Sequence, residues 1–168
     1  PPRPNPQALY PDAAFVIIVR HPIATAYATA AWAAKHASTG EGAKADPLLI
    51  RQFVEHWVHV HEILEADLPY LRNVHVLSHE ELCAQPEETL RALFESLSLS
   101  AAEPLPPGLV VRERNLPYER QWRNEAEHTR EAIRNLAPKL CKFGYSVEGA
   151  VAGGGEPWVP VDATQMSR

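Results

Sequence analysis

Apolar and polar positions divide this chain into short blocks of different period. Phe15-Val16-Ile17-Ile18-Val19 is an unbroken apolar run dominated by β-branched side chains. That composition predicts a strand buried on both faces, as in a parallel sheet. Arg20-His21-Pro22 ends it, and the fixed φ of Pro22 suits the first turn of a helix. Ile23, Ala26, Tyr27, Ala30, Ala31 and Ala34 then recur at i, i+3, i+4 spacing. They predict a helix from Ile23 to about His36, with alanines that allow close approach to a sheet. Ser38-Thr39-Gly40-Glu41-Gly42 breaks the pattern. Asp46 reads as the N-cap and Pro47 as the first residue of a second helix. Its apolar stripe is Ile50, Phe53, Val54, Trp57, His61 and Leu64, and it ends near Asp67-Leu68-Pro69. Val74-His75-Val76-Leu77 is a second strand. Two strands joined by long helical segments imply a right-handed crossover and parallel pairing.

Shorter elements follow. Ser78-His79-Glu80-Glu81-Leu82 opens one helix and Pro86-Glu87-Glu88-Thr89 another, with Leu90, Leu93, Phe94 and Leu97 on its apolar face. A proline-rich loop over 98–108 leads to a charged turn, Arg112-Glu113-Arg114-Asn115. Tyr118 to Trp122 and His128 to Phe143 read as the last helices, closed by Gly144 as a C-terminal cap. Pro138 is predicted to kink or split the final one. The organisation expected is an extended lead-in over 1–9, one α/β unit over 10–147, and a disordered tail over 148–168.

Arg20 is where chemistry enters. A strand that delivers an arginine beside a helix N-terminus builds an anion site. The helix supplies unpaired N–H groups, and the guanidinium supplies a planar fork for phosphate or sulfate. Ligands of open α/β sheets bind at the carboxyl ends of strands, where Arg20 lies. The plainer reading is a surface charge or a partner for a nearby carboxylate.

Composition narrows the choice. The 168 residues are 45% hydrophobic and 22% charged, ordinary for one globular domain, and include sixteen prolines. The formal net charge of −5 argues against a broad nucleic-acid surface but not against a small anion held by a few arginines. Cys83 and Cys141 cannot form a disulfide framework and read as buried free thiols. No segment approaches the apolar length of a membrane span. The chain begins Pro1-Pro2-Arg3 without an initiator methionine, so it reads as the later part of a longer protein and its compartment, cytoplasm or Golgi lumen, stays open.

Tyr10-Pro11-Asp12-Ala13-Ala14-Phe15-Val16-Ile17-Ile18-Val19-Arg20-His21-Pro22 closely resembles the segment with which the sulfotransferase family binds the 3′-phosphate of 3′-phosphoadenosine 5′-phosphosulfate (PAPS). Val74 to Leu82 resembles a second family block, and Pro86 to Leu97 the helix after it. Asn115-Leu116-Pro117-Tyr118-Glu119-Arg120-Gln121-Trp122 and Phe143-Gly144-Tyr145 are similar to late landmarks of the family. The resemblance spans roughly 10–146. It implies part of a nucleotide-kinase-like three-layer P-loop sandwich, with PAPS as co-substrate and no metal. The implied reaction moves a sulfuryl group to a hydroxyl or amine acceptor, on a carbohydrate or other biomolecule. Arg20 is the implied 3′-phosphate ligand, and Arg112 and Arg114 lie where family members bring a late basic loop onto that phosphate; the plainer reading, which Glu113 between them supports, is a solvated charged turn.

Two departures stand out. The family usually places a serine eight positions after the arginine, where this chain has Ala28; Thr25 or Thr29 supplies the hydroxyl, or the contact is missing. No glycine-rich loop opens a helix after a strand in this sequence. The P-loop and the catalytic base are therefore expected upstream, no catalytic residue is assigned within this segment, and the segment alone is expected to be inactive. The alternatives are a P-loop-type nucleotide kinase and a non-catalytic module that keeps the fold for protein contacts.

Other candidates carry less. His56 and His59 have ligand-like i, i+3 spacing but no third ligand nearby, and read as solvated or core-edge side chains. His61 falls on the apolar stripe and reads as a hydrogen-bonded core histidine or as part of the lining of an acceptor pocket. Trp57 and Trp32 read as core anchors. Glu80 and Glu81 read as capping and dipole-stabilising residues of a helix start. Nothing basic flanks Cys83 to make it a nucleophile.

Overall fold

The computed structural model describes residues 6–36, 46–100 and 114–147. Its frame is a parallel pair, β1 (Phe15–Val19) and β2 (Val74–Ser78), in register from Phe15 opposite Val74 to Val19 opposite Ser78. Between them run α2 (Pro22–His36) and α3 (Pro47–Asp67), which pack on each other. Pro22 opens α2 and Pro47 opens α3. Asp46 accepts the Leu48 N–H at 2.9 Å, as the N-cap reading requires. A 3₁₀ turn, Leu68–Tyr70, ends α3 and turns the chain back towards β2. The fold is thus α/β, a two-strand parallel sheet with flanking helices.

The core explains why these elements pair. Val19, Ile23, Tyr27, Ile50, Val54, Trp57 and Val58 bury their side chains together, joined by Trp122, Ile133, Leu140 and Phe143 from the last third of the chain. These are the stripes of α2 and α3 against one face of the sheet, where Ile17 and Val76 also pack. The other face differs from expectation. Val16 is 42% exposed and Ile18 58% exposed, so β1 is half-buried rather than buried on both faces. The described helices of the crossover cover one side, and an apolar run by itself does not say how many sides are covered.

β2 runs directly into α4 (His79–Ala84), with Ser78 as N-cap accepting from the Glu81 N–H, and α5 (Pro86–Ser96) follows. Both pack against β2. The last third holds α6 (Leu116–Arg123), α7 (Glu127–Arg134) and α8 (Ala137–Lys142). The predicted helix over His128–Phe143 is split in two. Pro138 lies in the first turn of α8, where its missing N–H costs nothing, so the proline starts a helix instead of kinking one. Gly144 adopts φ 78°, the left-handed cap expected of it, and the Tyr145 N–H returns to the Leu140 carbonyl at 3.1 Å.

Several expectations are corrected. The lead-in is not extended throughout, because α1 (Pro6–Leu9) forms one helical turn. Gln7 explains it: its amide donates to the Tyr10 and Pro11 carbonyls and accepts the Arg72 N–H at 2.7 Å, bonds that hold the turn against the start of β2. Cys141 is exposed, since α8 turns it away from Leu140 and the core; Cys83 is buried as read. Trp32 is 63% exposed near the end of α2, its ring tilted against that of His36 one turn later, so it anchors nothing in the core. The glycine break over 38–42, residues 101–108 of the proline-rich loop, Arg112, and the tail over 148–168 lie outside the described residues.

Candidate anion site at the carboxyl end of the sheet

Arg20 follows the last residue of β1, and three distant segments converge on it. Its Nε and Nη2 both donate to Oδ1 of Asn115, at 2.9 and 2.6 Å. The ring of Tyr118 lies beneath the guanidinium, 5.3 Å from its carbon. The Trp57 indole donates to the Arg20 carbonyl at 3.0 Å. Asn115 in turn donates through Nδ2 to Oε1 of Glu80 at 2.9 Å. The order of charges is therefore guanidinium, neutral amide, carboxylate.

Glu80 lies in the first turn of α4, which Ser78 caps, and its carboxylate reaches beyond that helix. Its Oε1 also accepts the backbone N–H of His21 at 3.0 Å, and its Oε2 accepts from the Ser78 hydroxyl at 3.3 Å. The reading of Glu80 as a helix-start carboxylate fits its place in the first turn of α4, and it is extended here: the carboxylate also reaches the start of α2, a different helix. His21 completes that end. Its Nε2 meets the Ser146 carbonyl at 3.1 Å, and a carbonyl only accepts, so Nε2 carries the proton. Nδ1 then accepts the Ile23 N–H at 3.2 Å. Pro22 has no N–H. The N–H groups of His21, just before α2, and of Ile23 are thus taken by Glu80 and by the His21 ring, so these two do not stand unpaired for an incoming anion as expected. What remains for a ligand is the outer edge of Arg20, whose Nη1 makes no hydrogen bond among the described residues.

The surrounding groups respond to this arrangement. Burial pushes the Arg20 guanidinium below its ordinary value, opposed by the fields of Tyr118 and Glu80. Burial, then the positive fields of Arg20 and Arg114, push His79 down as well, so its imidazole favours the neutral form. Burial and Glu80 push the Cys83 thiol up, as suits an unreactive thiol, but a basic group does flank it, contrary to expectation: His79 Nδ1 lies 3.7 Å from its sulfur. Arg114 is exposed beside Asn115, and its field is felt at Arg20, His79 and Cys83.

The other predicted site residues fall as follows. Thr25 donates its hydroxyl to the His21 carbonyl at 3.0 Å, in the first turn of α2. Thr29 donates to the Thr25 carbonyl at 2.8 Å, one turn further from Arg20. Both hydroxyls are satisfied by their own helix. His56 and His59 are exposed on α3. His61 is buried, stacked on the Trp57 ring with centroids 3.5 Å apart, and its Nδ1 donates to the Trp57 carbonyl. No group of three or more potential metal-binding side chains gathers among the described residues. No helix there is long and apolar enough to cross a membrane.

A family model described as the sulfotransferase family matches residues 6–103, more than half of the chain. The chain belongs to the sulfotransferase family. No curated protein and no solved structure matches it. The matched segment of this sulfotransferase-family chain contains Arg20, both threonines and Glu80. Asn115, Tyr118 and Arg114 lie beyond it. Asn115 and Glu80 are the site residues that sequence reasoning missed. Asn115 sits at the start of α6, where asparagine usually caps, and no capping hydrogen bond from its side chain marks that role here.

Proposed function

We propose that this chain takes part in sulfuryl transfer from PAPS to a hydroxyl or amine acceptor, and that Arg20 holds the 3′-phosphate of the nucleotide. One observation carries the reading. Inside the family-matched segment, at the carboxyl end of a parallel strand, a guanidinium is fixed along one edge by Asn115, and among the described residues its other edge is unbonded. A guanidinium held in that way presents a planar pair of donors to a phosphate without first giving up a bond.

Arg114 supplies a second positive charge at the same end of the sheet, and Thr25, in the first turn of α2, is placed to exchange its bond to the His21 carbonyl for a phosphate oxygen. Thr29 stands a further turn away, about 6 Å along the helix. In-line sulfuryl transfer, like phosphoryl transfer, depends on positioning and on stabilising charge. The described residues serve the positioning, and none of them is assigned to the transfer step.

Calorimetric titration with adenosine 3′,5′-bisphosphate tests the reading. Arg20→Ala should weaken binding in addition to the stability it loses by leaving Asn115 Oδ1 without its donors. Unchanged affinity, with lost stability, would show Arg20 to be a structural partner only. ATP titrated alongside separates the nucleotide-kinase alternative, which predicts the reverse preference.

A further inference from the structure

From the geometry around Arg20 we infer that Asn115 is a positioning residue, a neutral spacer that keeps Arg20 from pairing with Glu80 and so leaves its outer edge available to an anion. The inference rests on the reading of Arg20 as the phosphate ligand, and adds what makes that arginine available.

Arg20 and Glu80 are opposite charges at the same end of the sheet, and no ion pair joins them. Glu80 raises the pKa of Arg20 through its field alone. One amide fills the space between: Oδ1 takes both Nε and Nη2 of Arg20, and Nδ2 donates to Glu80. An amide offers an acceptor to the cation and a donor to the anion at the same time, on two separate atoms. Asn115 is buried, so water does not readily take over either contact.

Glu80 cannot simply be dispensed with. Its Oε1 is the acceptor for the His21 N–H at the start of α2, and that carboxylate complements the positive helix end. The site therefore keeps a carboxylate for the helix and an arginine for the ligand within reach of one another. Direct pairing would spend the guanidinium fork on Glu80 and place a negative charge where a phosphate has to approach. The amide removes that competition while still fixing the orientation of Arg20.

The test is a double-mutant cycle on the intact protein, read by calorimetric titration of adenosine 3′,5′-bisphosphate. Asn115→Ala should weaken binding about tenfold or more, because Arg20 is free to fall onto Glu80. Asn115→Ala combined with Glu80→Gln should recover most of that loss, since no carboxylate remains to capture the arginine. A purely structural role for Asn115 predicts the opposite: the second substitution removes another hydrogen-bonded group and binding falls further or stays low. That result would overturn the inference. Asn115→Ser, whose hydroxyl cannot span both partners, replaces Asn115→Ala if the alanine variant does not fold. Arg20→Ala is the control that separates the two claims. If it leaves affinity unchanged, the reading of Arg20 itself fails. If it abolishes binding while both Asn115 variants bind normally, Arg20 stands and the spacer falls.

Discussion

The indole nitrogen of Trp57 donates to the carbonyl of Arg20 at 3.0 Å, so a core side chain on α3 fixes the backbone that carries the site's arginine. Trp57 also meets Phe143 and Tyr145 edge-on, joining the last third of the chain to the same point. Trp57→Phe removes the donor and part of the ring volume. It should cost about 1–3 kcal/mol in urea unfolding and weaken bisphosphate binding in parallel. Full stability in this variant would mean that the bond anchors nothing.

Arg20→Ala should weaken adenosine 3′,5′-bisphosphate binding by about 1.5–3 kcal/mol, the scale of a charged hydrogen bond. Arg20→Lys should recover only part of it, because a point charge neither grips Asn115 along two N–H groups nor presents a fork to the phosphate. Calorimetry beside a melting curve reads both. Full recovery by lysine would mean that charge alone suffices.

Thr25→Val and Thr29→Val distinguish the two hydroxyls offered in place of Ala28. Thr25→Val should weaken bisphosphate binding by about 1 kcal/mol, and Thr29→Val should leave it unchanged. Each removes only a bond to its own helix in the free protein, so neither should shift the melting temperature by much. An effect at Thr29 alone would move the assisting hydroxyl one turn along α2.

Burial pushes His61 below its ordinary value, outweighing the pull of its bond to the Trp57 carbonyl. The folded state therefore binds fewer protons than the unfolded state. This contribution to stability is whole above the unfolded value of about 6.5 and is lost as pH falls from there towards the depressed folded value. His79, lowered chiefly by burial and then by Arg20, acts in the same direction. His61→Phe keeps an aromatic stack on Trp57 without the titration. It should lose less stability than the parent between about pH 7.5 and about pH 5.5 in urea unfolding. An identical loss in both proteins would place the titration elsewhere.

Gly144 sits at φ 78°, where a Cβ is unfavourable. Gly144→Ala should destabilise the chain by about 1 kcal/mol, read as a lowered urea midpoint at constant slope. No change would show that the cap is free to rearrange.

The frame of the fold was readable because its signals are local. Asp46 and Pro47 mark the start of α3 through one side chain and one fixed φ, and the stripe from Ile50 to Leu64 has the period of a helix. Gly144 announces a left-handed cap by lacking a Cβ. Arg20 was legible as a candidate because it follows an apolar run and precedes a proline. What stayed hidden is whatever depends on the other side of a contact. The exposure of Val16 and Ile18 depends on what lies over the sheet, and their sequence is the same whether or not anything does. Asn115 looked like part of a charged turn, and Glu80 like a helix-start carboxylate. Their joint role comes from segments separated by 35 positions, and from Arg20, which lies 95 positions before Asn115. No local pattern records such a meeting.

That separation has a consequence for how the molecule is born. A ribosome releases the chain from its amino end at about 5–20 residues per second. The Arg20 carbonyl can find Trp57 after 37 further residues, but the guanidinium must wait for Asn115, 95 residues on, which is about 5–20 s. Until Val74 to Ser78 emerges, Phe15 to Val19 is a bare hydrophobic ribbon with neither its parallel neighbour nor the late helices that seal Trp57. The nascent protein therefore exposes Phe15 to Val19 before their partners exist and completes its arginine cluster only once Asn115 has been made, which makes β1 the stretch that a co-translational chaperone would have to shield.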